Sequence, residues 1–248
     1  MSFNVRYPSA EGEHAWPARR AIFMQTIKDA DVDVIGTQEL FQQQGEDITA
    51  ALPAYRWFGI DRRGGHEDEH MGIFYRADQV AVLQNGEFWL SDRPAEVGRI
   101  SWGHPLPRMV SWGLFQRKDD GRRFYLVNTH LPHQEQSAPA RAKGARMIAD
   151  WIAALPAEIP VVLMGDFNTR PSDQPHAILT ASLRDVWEAA PERAGPEGTY
   201  HGYSGTPGDR IDWILTRGFV PRSVTTIATA DGGDYPSDHF PVVAELGW

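Results

Sequence analysis

The chain has 248 residues, 42% of them hydrophobic, and 24 Lys and Arg against 33 Asp and Glu give a formal net charge of −9. A protein that binds nucleic acid non-specifically needs a basic face to displace counterions from phosphates, so this charge argues against that class. The sequence contains no cysteine, which excludes disulfides and thiolate metal sites and leaves oxygen and imidazole as metal ligands.

The first half of the chain alternates between predicted strands and helices. Residues 2–6 form the first predicted strand, and the helix that follows, Trp16–Ala30, carries Pro17 in its first turn. A strand at 32–38 and a short helix near 41–52 come next. Further strands are predicted near 55–59, 71–75 and 80–89, and the charged, glycine-containing segment 61–70 is predicted to be an exposed loop or a hairpin tip.

The second half begins with two strands, at 110–116 and 124–129, joined by a hairpin turn over 118–121. A helix is predicted at 142–155 from its helical spacing of apolar residues. Later strands are predicted at 160–164, 210–216, 220–228 and 241–245. Strands and helices that alternate early and mix with long hairpins later indicate an α/β layered fold with mixed sheets.

The length allows one domain or two, and since no linker interrupts the chain we expect a single domain over residues 1–248. No apolar run is long enough to cross a bilayer, so we expect a soluble, cytoplasmic protein. The first predicted strand begins directly after Met1, however. A secreted or periplasmic protein therefore stays an alternative if an upstream leader is missing, and the sequence predicts no oligomeric state.

Polar residues recur where apolar runs end. Gly165-Asp166-Phe167-Asn168 and Ser237-Asp238-His239-Phe240-Pro241 are the two main motifs. The same pattern occurs four more times, at Asn4, Glu39, His130 and Asp212. Each motif alone is weak, because Asp and Asn are common in turns, where their side chains hydrogen-bond the backbone. Together they predict one polar site where several strands end.

Six blocks, SFNVR, TQE, NTHL, GDFN, RIDWI and SDHFPV, occur in this order over nearly the whole chain. They resemble the signature blocks of the endonuclease/exonuclease/phosphatase (DNase I-like) superfamily of divalent-metal-dependent phosphoesterases. The tracts FWLS and RMVSW are more similar to its bacterial small hydrolase-like members than to its DNA-repair endonucleases. The resemblance implies a four-layer α/β/β/α sandwich of two packed mixed β-sheets flanked by helices, with the site at one end.

The resemblance assigns Glu39, Asn4 and Asp238 to the metal, and hard oxygen ligands favour Mg²⁺ or Mn²⁺. Glu39 has an alternative role as an acid near a helix N-terminus, and Asn4 has one as an ordinary strand-end amide. Asp238 and His239 are adjacent, and adjacent side chains of a strand face opposite ways. We therefore expect these two not to share one ligand direction unless the backbone turns there.

The resemblance also implies the catalytic residues. Asp166 would position or deprotonate the attacking water with support from Asn168; in an extended segment their side chains point to the same side. Turn formation is the alternative for both. Asp212 would fix the tautomer of His239, which either accepts a proton or contacts the phosphate. His130 is expected to contact the scissile phosphate.

Arg108 is the candidate for bidentate phosphate binding, with a surface arginine as the alternative. A local basic groove of Arg62, Arg63, Arg99 and Arg108 stays open, and Trp102 and Trp112 are the candidates for stacking on a base or sugar. We expect an Mg²⁺- or Mn²⁺-dependent phosphoesterase that hydrolyses a small phosphomonoester or phosphodiester by direct attack of water. A nuclease and a catalytically silent binding module are the alternatives.

Overall fold

The strands and helices are those of a computed structural model that describes residues 1–9, 11–228, 230 and 232–248. The strands are β1 (Ser2–Asn4), β2 (Val34–Gln38), β3 (Tyr55–Phe58), β4 (Ile73–Arg76), β5 (Val80–Trp89), β6 (Met109–Arg117), β7 (Arg123–His130), β8 (Val161–Asp166), β9 (Arg184–Asp185), β10 (Glu192–Ala194), β11 (Asp212–Arg217), β12 (Val220–Thr226) and β13 (Val242–Gly247). The helices are α1 (Trp16–Ala30), α2 (Gln42–Ala51), α3 (Ala138–Ala153), α4 (Gln174–Thr180) and α5 (Val186–Ala189).

The strands form two mixed sheets. One sheet has seven strands in the order β10-β12-β13-β1-β2-β4-β3, and the other has six in the order β5-β6-β7-β8-β11-β9. Strands β1 and β2 run parallel in the first sheet, and β7 and β8 run parallel in the second. Parallel strands end at the same edge of a sheet. The residues that follow β1 and β2 therefore lie side by side, and so do those that follow β7 and β8.

Side chains alternate between two layers of core along each central strand. On β8, Val162 and Met164 belong to the core between the sheets, whereas Val161 and Leu163 pack with Ile148 of α3. On the other side of the molecule, Phe3, Ile35 and their neighbours pack against α1 and α2 in a third cluster, which includes Phe23, Ile27 and Ile48. The arrangement confirms the expected α/β/β/α sandwich.

A buried amide connects the two sheets just below the polar edge. Asn128 of β7 donates from Nδ2 to the carbonyl oxygen of Thr37 at 2.8 Å, and its Oδ1 accepts from Gln38 Nε2 at 2.7 Å. All three residues are fully buried. Buried hydrogen bonds of this kind fix the relative position of β2 and β7, which carry Glu39 and His130 at their ends.

The sequence missed one region. Between residues 170 and 209 it predicted no element, and the structure has α4, β9, α5 and β10 there. The first strand ends at Asn4 rather than at residue 6, because Arg6 adopts a left-handed conformation with φ of 60°. Within the described ranges, no helix combines the length and apolar character needed to cross a membrane.

Candidate active site

A cavity of about 580 Å³ lies where the ends of β1, β2, β7 and β8 meet the start of β11. It is lined by these expected site residues: Glu39, Arg108, His130, Asp166, Asn168, Asp238 and His239. Asn4 and Asp212 are buried behind the lining, and each is hydrogen-bonded to a residue that lines the cavity. The structure therefore brings all nine expected residues together.

Asn4 joins carboxylates that come from different sheets. Its Nδ2 donates to Glu39 Oε1 at 3.2 Å and to Asp166 Oδ2 at 3.0 Å. Glu39 has φ of 58°, so the backbone leaves the line of β2 at this residue, and its Oε2 accepts from the backbone N–H of Tyr7 at 3.1 Å. The amide of Asn4 thus sets the spacing of the two acids.

Asp166 faces Asp212 and two histidines. Asp212 is its cross-strand partner in the antiparallel pair of β8 and β11. His239 Nδ1 is 2.9 Å from Asp212 Oδ2, and His239 Nε2 is 3.8 Å from Asp166 Oδ2. His130 Nε2 is 3.5 Å from the same Asp166 oxygen. Asp212 therefore fixes the ring of His239 so that its other nitrogen faces Asp166.

The surroundings shift the pKa values of these groups in different directions. Burial, followed by the charge of Asp212, raises the pKa of Asp166 to about 7. Burial alone would lower the pKa of His239, but the carboxylates of Asp212 and Asp166 outweigh it and raise that pKa to about 10. Burial and the charge of Arg108 hold the pKa of His130 well below its usual value. At neutral pH the site thus has a charged His239, a neutral His130 and, in Asp166, a carboxyl group whose pKa is about 7.

The GDFN motif forms a turn and not the extended segment that was expected. The backbone N–H of Asn168 donates to Asp166 Oδ1 at 2.9 Å, and Asn168 has φ of 49°. Asn168 Nδ2 donates to the carbonyl oxygen of Leu131 at 3.0 Å. At Gly165 a Cβ would run into the carbonyl oxygen of Thr129 on the neighbouring strand, so only glycine fits before Asp166. Asp166 and Asn168 line the same cavity because of this turn.

Asp238 and His239 also line one cavity, against the expectation for adjacent strand residues. The reason is that they precede β13, outside the regular strand. Ser237 Oγ donates to the carbonyl oxygen of Asn4 at 2.6 Å and accepts from the backbone N–H of His239 at 3.3 Å. The Ser237 hydroxyl therefore holds this irregular segment against the end of β1.

Arg6 is a site residue that the sequence did not predict. Its Nη1 lies 3.5 Å from Asp238 Oδ2 and 3.9 Å from Glu39 Oε2. Arg19 of α1 is buried and donates to the carbonyl oxygens of Val5, Arg6 and Pro236 at 2.6–2.8 Å. The guanidinium of Arg19 thereby holds the turn that carries Arg6.

The donor set fits a hard divalent cation. Carboxylate oxygens of Asp166 and Asp212 lie within 4.8 Å of each other and of a ring nitrogen of His239, which does not bind a cation while the imidazole is protonated. Asp212 Oδ1 is buried and has no hydrogen-bond partner among the described residues. Glu39 and Asp238 add further carboxylates at the wall of the cavity. Oxygen donors around an unsatisfied buried carboxylate are what Mg²⁺ and Mn²⁺ prefer in proteins.

Arg108 is a buried cation that has no carboxylate partner in the part of the chain that the structure describes. The residue is 4% exposed, and its Nη1 makes no hydrogen bond there. Its Nη2 lies 3.5 Å from His133 Nδ1, and burial followed by the charge of Arg62 lowers the pKa of Arg108 against the opposing charge of Glu69. A buried charge without a partner is costly, so an anion is the expected occupant beside it.

The four arginines considered from the sequence do not all reach the cavity: Arg62 and Arg108 line it, and Arg63 and Arg99 do not. Arg62 is paired with Asp68 at 2.9 Å and Glu69 at 2.7 Å, and Arg63 is paired with Asp68 at 2.6 Å. Arg99 lies 3.8 Å from a Glu96 oxygen. Asp68 and Glu69 compensate the charges of Arg62 and Arg63, whereas Glu96 is shared between Arg99 and Arg93.

Several further lining residues were missed by the sequence: Tyr7, Glu69, Leu106, His133, Tyr200, Asp209 and Ile211. Trp102 and Trp112, the expected stacking residues, do not line the cavity; Trp112 packs against Trp151, and Trp102 Nε1 donates to Asp92 Oδ1 at 2.6 Å. Adjacency to a motif, as for His133 after NTHL or Asp209 before RIDWI, is the one sequence signal that would have found some of the missed residues.

Comparisons with known proteins agree with this geometry. A family model described as the Endonuclease/Exonuclease/phosphatase family matches residues 1–239. The structure of a mannosyl-6-phosphatase from Bacteroides thetaiotaomicron VPI-5482 is 31% identical, with a TM-score of 0.91 over 100% of this chain and 98% of that one. D. rerio TDP2, complexed with a single-strand DNA product, shares the fold at 20% identity, with a TM-score of 0.79 over 100% of this chain and 97% of that one.

A curated plant protein is a more distant relative. Carbon catabolite repressor protein 4 homolog 3 of Arabidopsis thaliana is 21% identical over 182 residues. The match takes in 70% of this chain and 37% of the plant protein. The chain therefore spans little more than a third of the length of this relative.

Proposed function

Because the chain belongs to the endonuclease/exonuclease/phosphatase family, whose members are hydrolases of phosphoesters, we propose that it is an Mg²⁺- or Mn²⁺-dependent phosphoesterase acting on a small phosphorylated substrate. The observation that carries the proposal is the cavity in which Asp166, with its raised pKa, faces His130 and His239 beside the guanidinium of Arg108, which has no carboxylate partner among the described residues. The 31% identity to a mannosyl-6-phosphatase favours a phosphomonoester over a phosphodiester.

Each residue has its own role in the direct attack of water on the phosphate. Asp166, whose pKa burial raises to about 7 in the metal-free site, accepts the proton of the attacking water as the general base. His239, kept protonated by Asp212, donates from Nε2 to a non-bridging phosphate oxygen. Neutral His130 contacts the same phosphate, and Arg108 pairs with its charge. Asn168 fixes the turn that presents Asp166.

Glu39, Asp238 and Asn4 are the residues that would hold the divalent cation. When bound, such a cation neutralises charge on the non-bridging oxygens and stabilises the leaving oxygen. Asn4 acts through its amide, which hydrogen-bonds Glu39 and Asp166 together. Arg6 balances the charge of Glu39 and Asp238 from the outer side.

The charge of the site supports a small substrate over a nucleic acid. Arg62, Arg63 and Arg99 are paired with carboxylates, which leaves Arg108 to bind phosphate. A polynucleotide would need several uncompensated cations along its path. The chain keeps every polar residue that the family resemblance requires, which also argues against a catalytically silent binding module.

The proposal is tested with a phosphomonoester and a phosphodiester of one chromogenic phenol, each assayed with Mg²⁺, Mn²⁺ or a chelator. We expect metal-dependent hydrolysis of the monoester, abolished in His239→Ala and retained in Leu83→Ala, which changes an exposed residue outside the cavity. Hydrolysis that persists in chelator would contradict the metal requirement. Hydrolysis of oligonucleotides with no turnover of the monoester would favour a nuclease.

A further inference from the structure

Tyr200 presents an exposed aromatic ring to the cavity beside His239. The residue is 44% exposed and lines the cavity, whereas most large apolar residues of the described chain are buried. Its ring meets the imidazole of His239 at a steep angle of 66°, with the ring centroids 5.1 Å apart. An exposed aromatic face next to catalytic side chains is a surface on which part of a substrate can lie.

The backbone under this ring is fixed. The N–H of Tyr200 donates to the carbonyl oxygen of Asp209 at 3.2 Å, and the carbonyl oxygen of Tyr200 accepts from Gly208 N–H at 2.8 Å. Tyr200 and His239 also form an isolated antiparallel bridge. Because the backbone of Tyr200 is held and its ring lies against His239, a ligand that binds the ring has little backbone to order.

Asp209 and Ile211 continue the same wall of the cavity. The carboxylate of Asp209 is 51% exposed and lies 2.9 Å from Arg170 Nε. A carboxylate only accepts hydrogen bonds, so its further partners are hydroxyl or amine donors. The charge of Arg170 is compensated by Asp209, and this wall therefore favours an uncharged group with hydroxyls over a second phosphate.

We infer that Tyr200 and Asp209 bind the alcohol half of the substrate, and that this half is an uncharged hydroxylated ring of the sugar type. The apolar face of such a ring packs on Tyr200 while its hydroxyls donate to Asp209. Arg108 binds the phosphate of the same molecule. This inference rests on the proposed function and extends it by naming the leaving group and the side chains that select it.

The test compares two alkyl phosphates that share their chemistry and differ in leaving group, a hexose 6-phosphate and ethyl phosphate, on the Mg²⁺- or Mn²⁺-loaded enzyme. In Tyr200→Ala we expect kcat/KM for the hexose phosphate to fall about three- to tenfold, mainly through KM. Turnover of ethyl phosphate should be nearly unchanged. Tyr200→Phe keeps the ring and should keep the preference, and Asp209→Ala should lose part of it. Leu83→Ala is the matched surface control.

The possible results distinguish a failure of this inference from a failure of the proposed function. An equal loss on both substrates would mean that Tyr200 acts through His239, and no loss on either would mean that its ring binds nothing; both results overturn the inference and leave the phosphoesterase standing. A nucleoside 5′-monophosphate that surpasses the hexose phosphate would also overturn it, in favour of base stacking. A wild-type enzyme that hydrolyses none of these esters would overturn the proposed function itself.

Discussion

Asp212 controls the charge of His239 through one short contact. Burial would lower the pKa of this imidazole, and the nearby carboxylates, Asp212 foremost, raise it to about 10 instead. His239 Nδ1 donates to Asp212 Oδ2, which leaves Nε2 for the phosphate. The two residues therefore act as a unit, as a carboxylate and an imidazole do in many hydrolases.

Replacing Asp212 with Asn keeps the shape of the side chain and removes its charge. We expect the pKa of His239 to fall from about 10 and turnover to fall by a factor of about 10² to 10⁴. An NMR titration of the imidazole in the metal-free protein measures the first effect. Asp29→Asn, on the exposed face of α1, serves as the control, and an unchanged His239 pKa in Asp212→Asn would refute this role of the carboxylate.

Arg108, unlike His239, is a buried charge without a carboxylate partner in the described chain. Arg108→Met should leave the free energy of unfolding unchanged or raise it by about 1 kcal/mol, because an uncompensated charge no longer has to be buried. The same change should raise KM for a phosphomonoester by about 10- to 100-fold, the value of a charge-assisted hydrogen bond. Chemical denaturation and steady-state kinetics measure the two effects. Arg63→Met, at an exposed and paired arginine, should change neither; a large stability loss in Arg108→Met would show a structural role instead.

Thr199 connects the start of β11 to the segment that carries His239. Its hydroxyl accepts from the backbone N–H groups of Ile211 at 3.0 Å and Asp212 at 3.1 Å. Its carbonyl oxygen accepts from Phe240 N–H at 2.8 Å. One fully buried residue thus positions both members of the Asp212 and His239 pair.

Thr199→Val removes the hydroxyl at nearly constant shape, and Thr199→Ser keeps it. We expect Thr199→Val to lose about 1–3 kcal/mol of stability, since two buried N–H groups lose their acceptor, and to lower kcat well beyond the loss in Thr199→Ser. The pH profile of kcat should also shift, because a displaced Asp212 holds His239 less firmly. If the two variants share one kcat and one profile, the hydroxyl does not position the pair.

The elements that the sequence predicted are those with clear periodicity or a strong turn signal. Strand β8 and the hairpin between β6 and β7 could be predicted because each has a clear apolar run, and the hairpin also has turn residues. Helix α4 has seven residues and β9 has two, too short for a periodic signal. Their role is structural: Asp185 binds His176 and Arg210, each at 2.7 Å, next to Trp213 of β11.

The candidate site was predictable where a side chain follows a strand and not where a loop folds back. Asn4, Glu39 and Asp166 follow from strand ends and the family resemblance. Tyr200 comes from a segment with no regular element, and its exposure depends on contacts with residues 208 and 209 that no local pattern encodes. The sequence pointed to Trp102 and Trp112 because tryptophan is the usual stacking residue, whereas packing placed both elsewhere.

For the whole molecule, the site depends on the packing of the two sheets. The first sheet and the segment before β13 supply Asn4, Glu39, Asp238 and His239, and the second sheet supplies His130, Asp166 and Asp212. The hydrogen bonds from Asn4 to Glu39 and Asp166 cross between them. A cation bound among these carboxylates would hold both sheets together, so metal binding and global stability are linked.

This linkage predicts how stability changes with pH. Asp166 has a folded pKa of about 7 against an ordinary value of 3.8, so the folded state binds more protons between these pH values and wild-type stability falls as pH rises through them. Buried His70, His130 and His201, whose pKa values are lowered, act in the opposite direction. The difference between wild type and Asp166→Asn therefore isolates the carboxylate, because Asn resembles its protonated form.

In chelator, Asp166→Asn should be more stable than wild type, and the difference in the free energy of unfolding should grow from about pH 4 to pH 7. It reaches at most roughly 4 kcal/mol, because each unit of pKa shift is worth about 1.4 kcal/mol. Saturating Mg²⁺ should shrink that difference, since a cation beside Asp166 favours its ionised form and stabilises the wild type. Denaturation midpoints at several pH values, with Mg²⁺ or chelator, measure both effects, and Asp150→Asn on α3 is the control. A stability difference between the two proteins that does not change with pH would mean that Asp166 is ionised without a metal. A stability difference that Mg²⁺ leaves unchanged would mean that the cation binds away from these carboxylates.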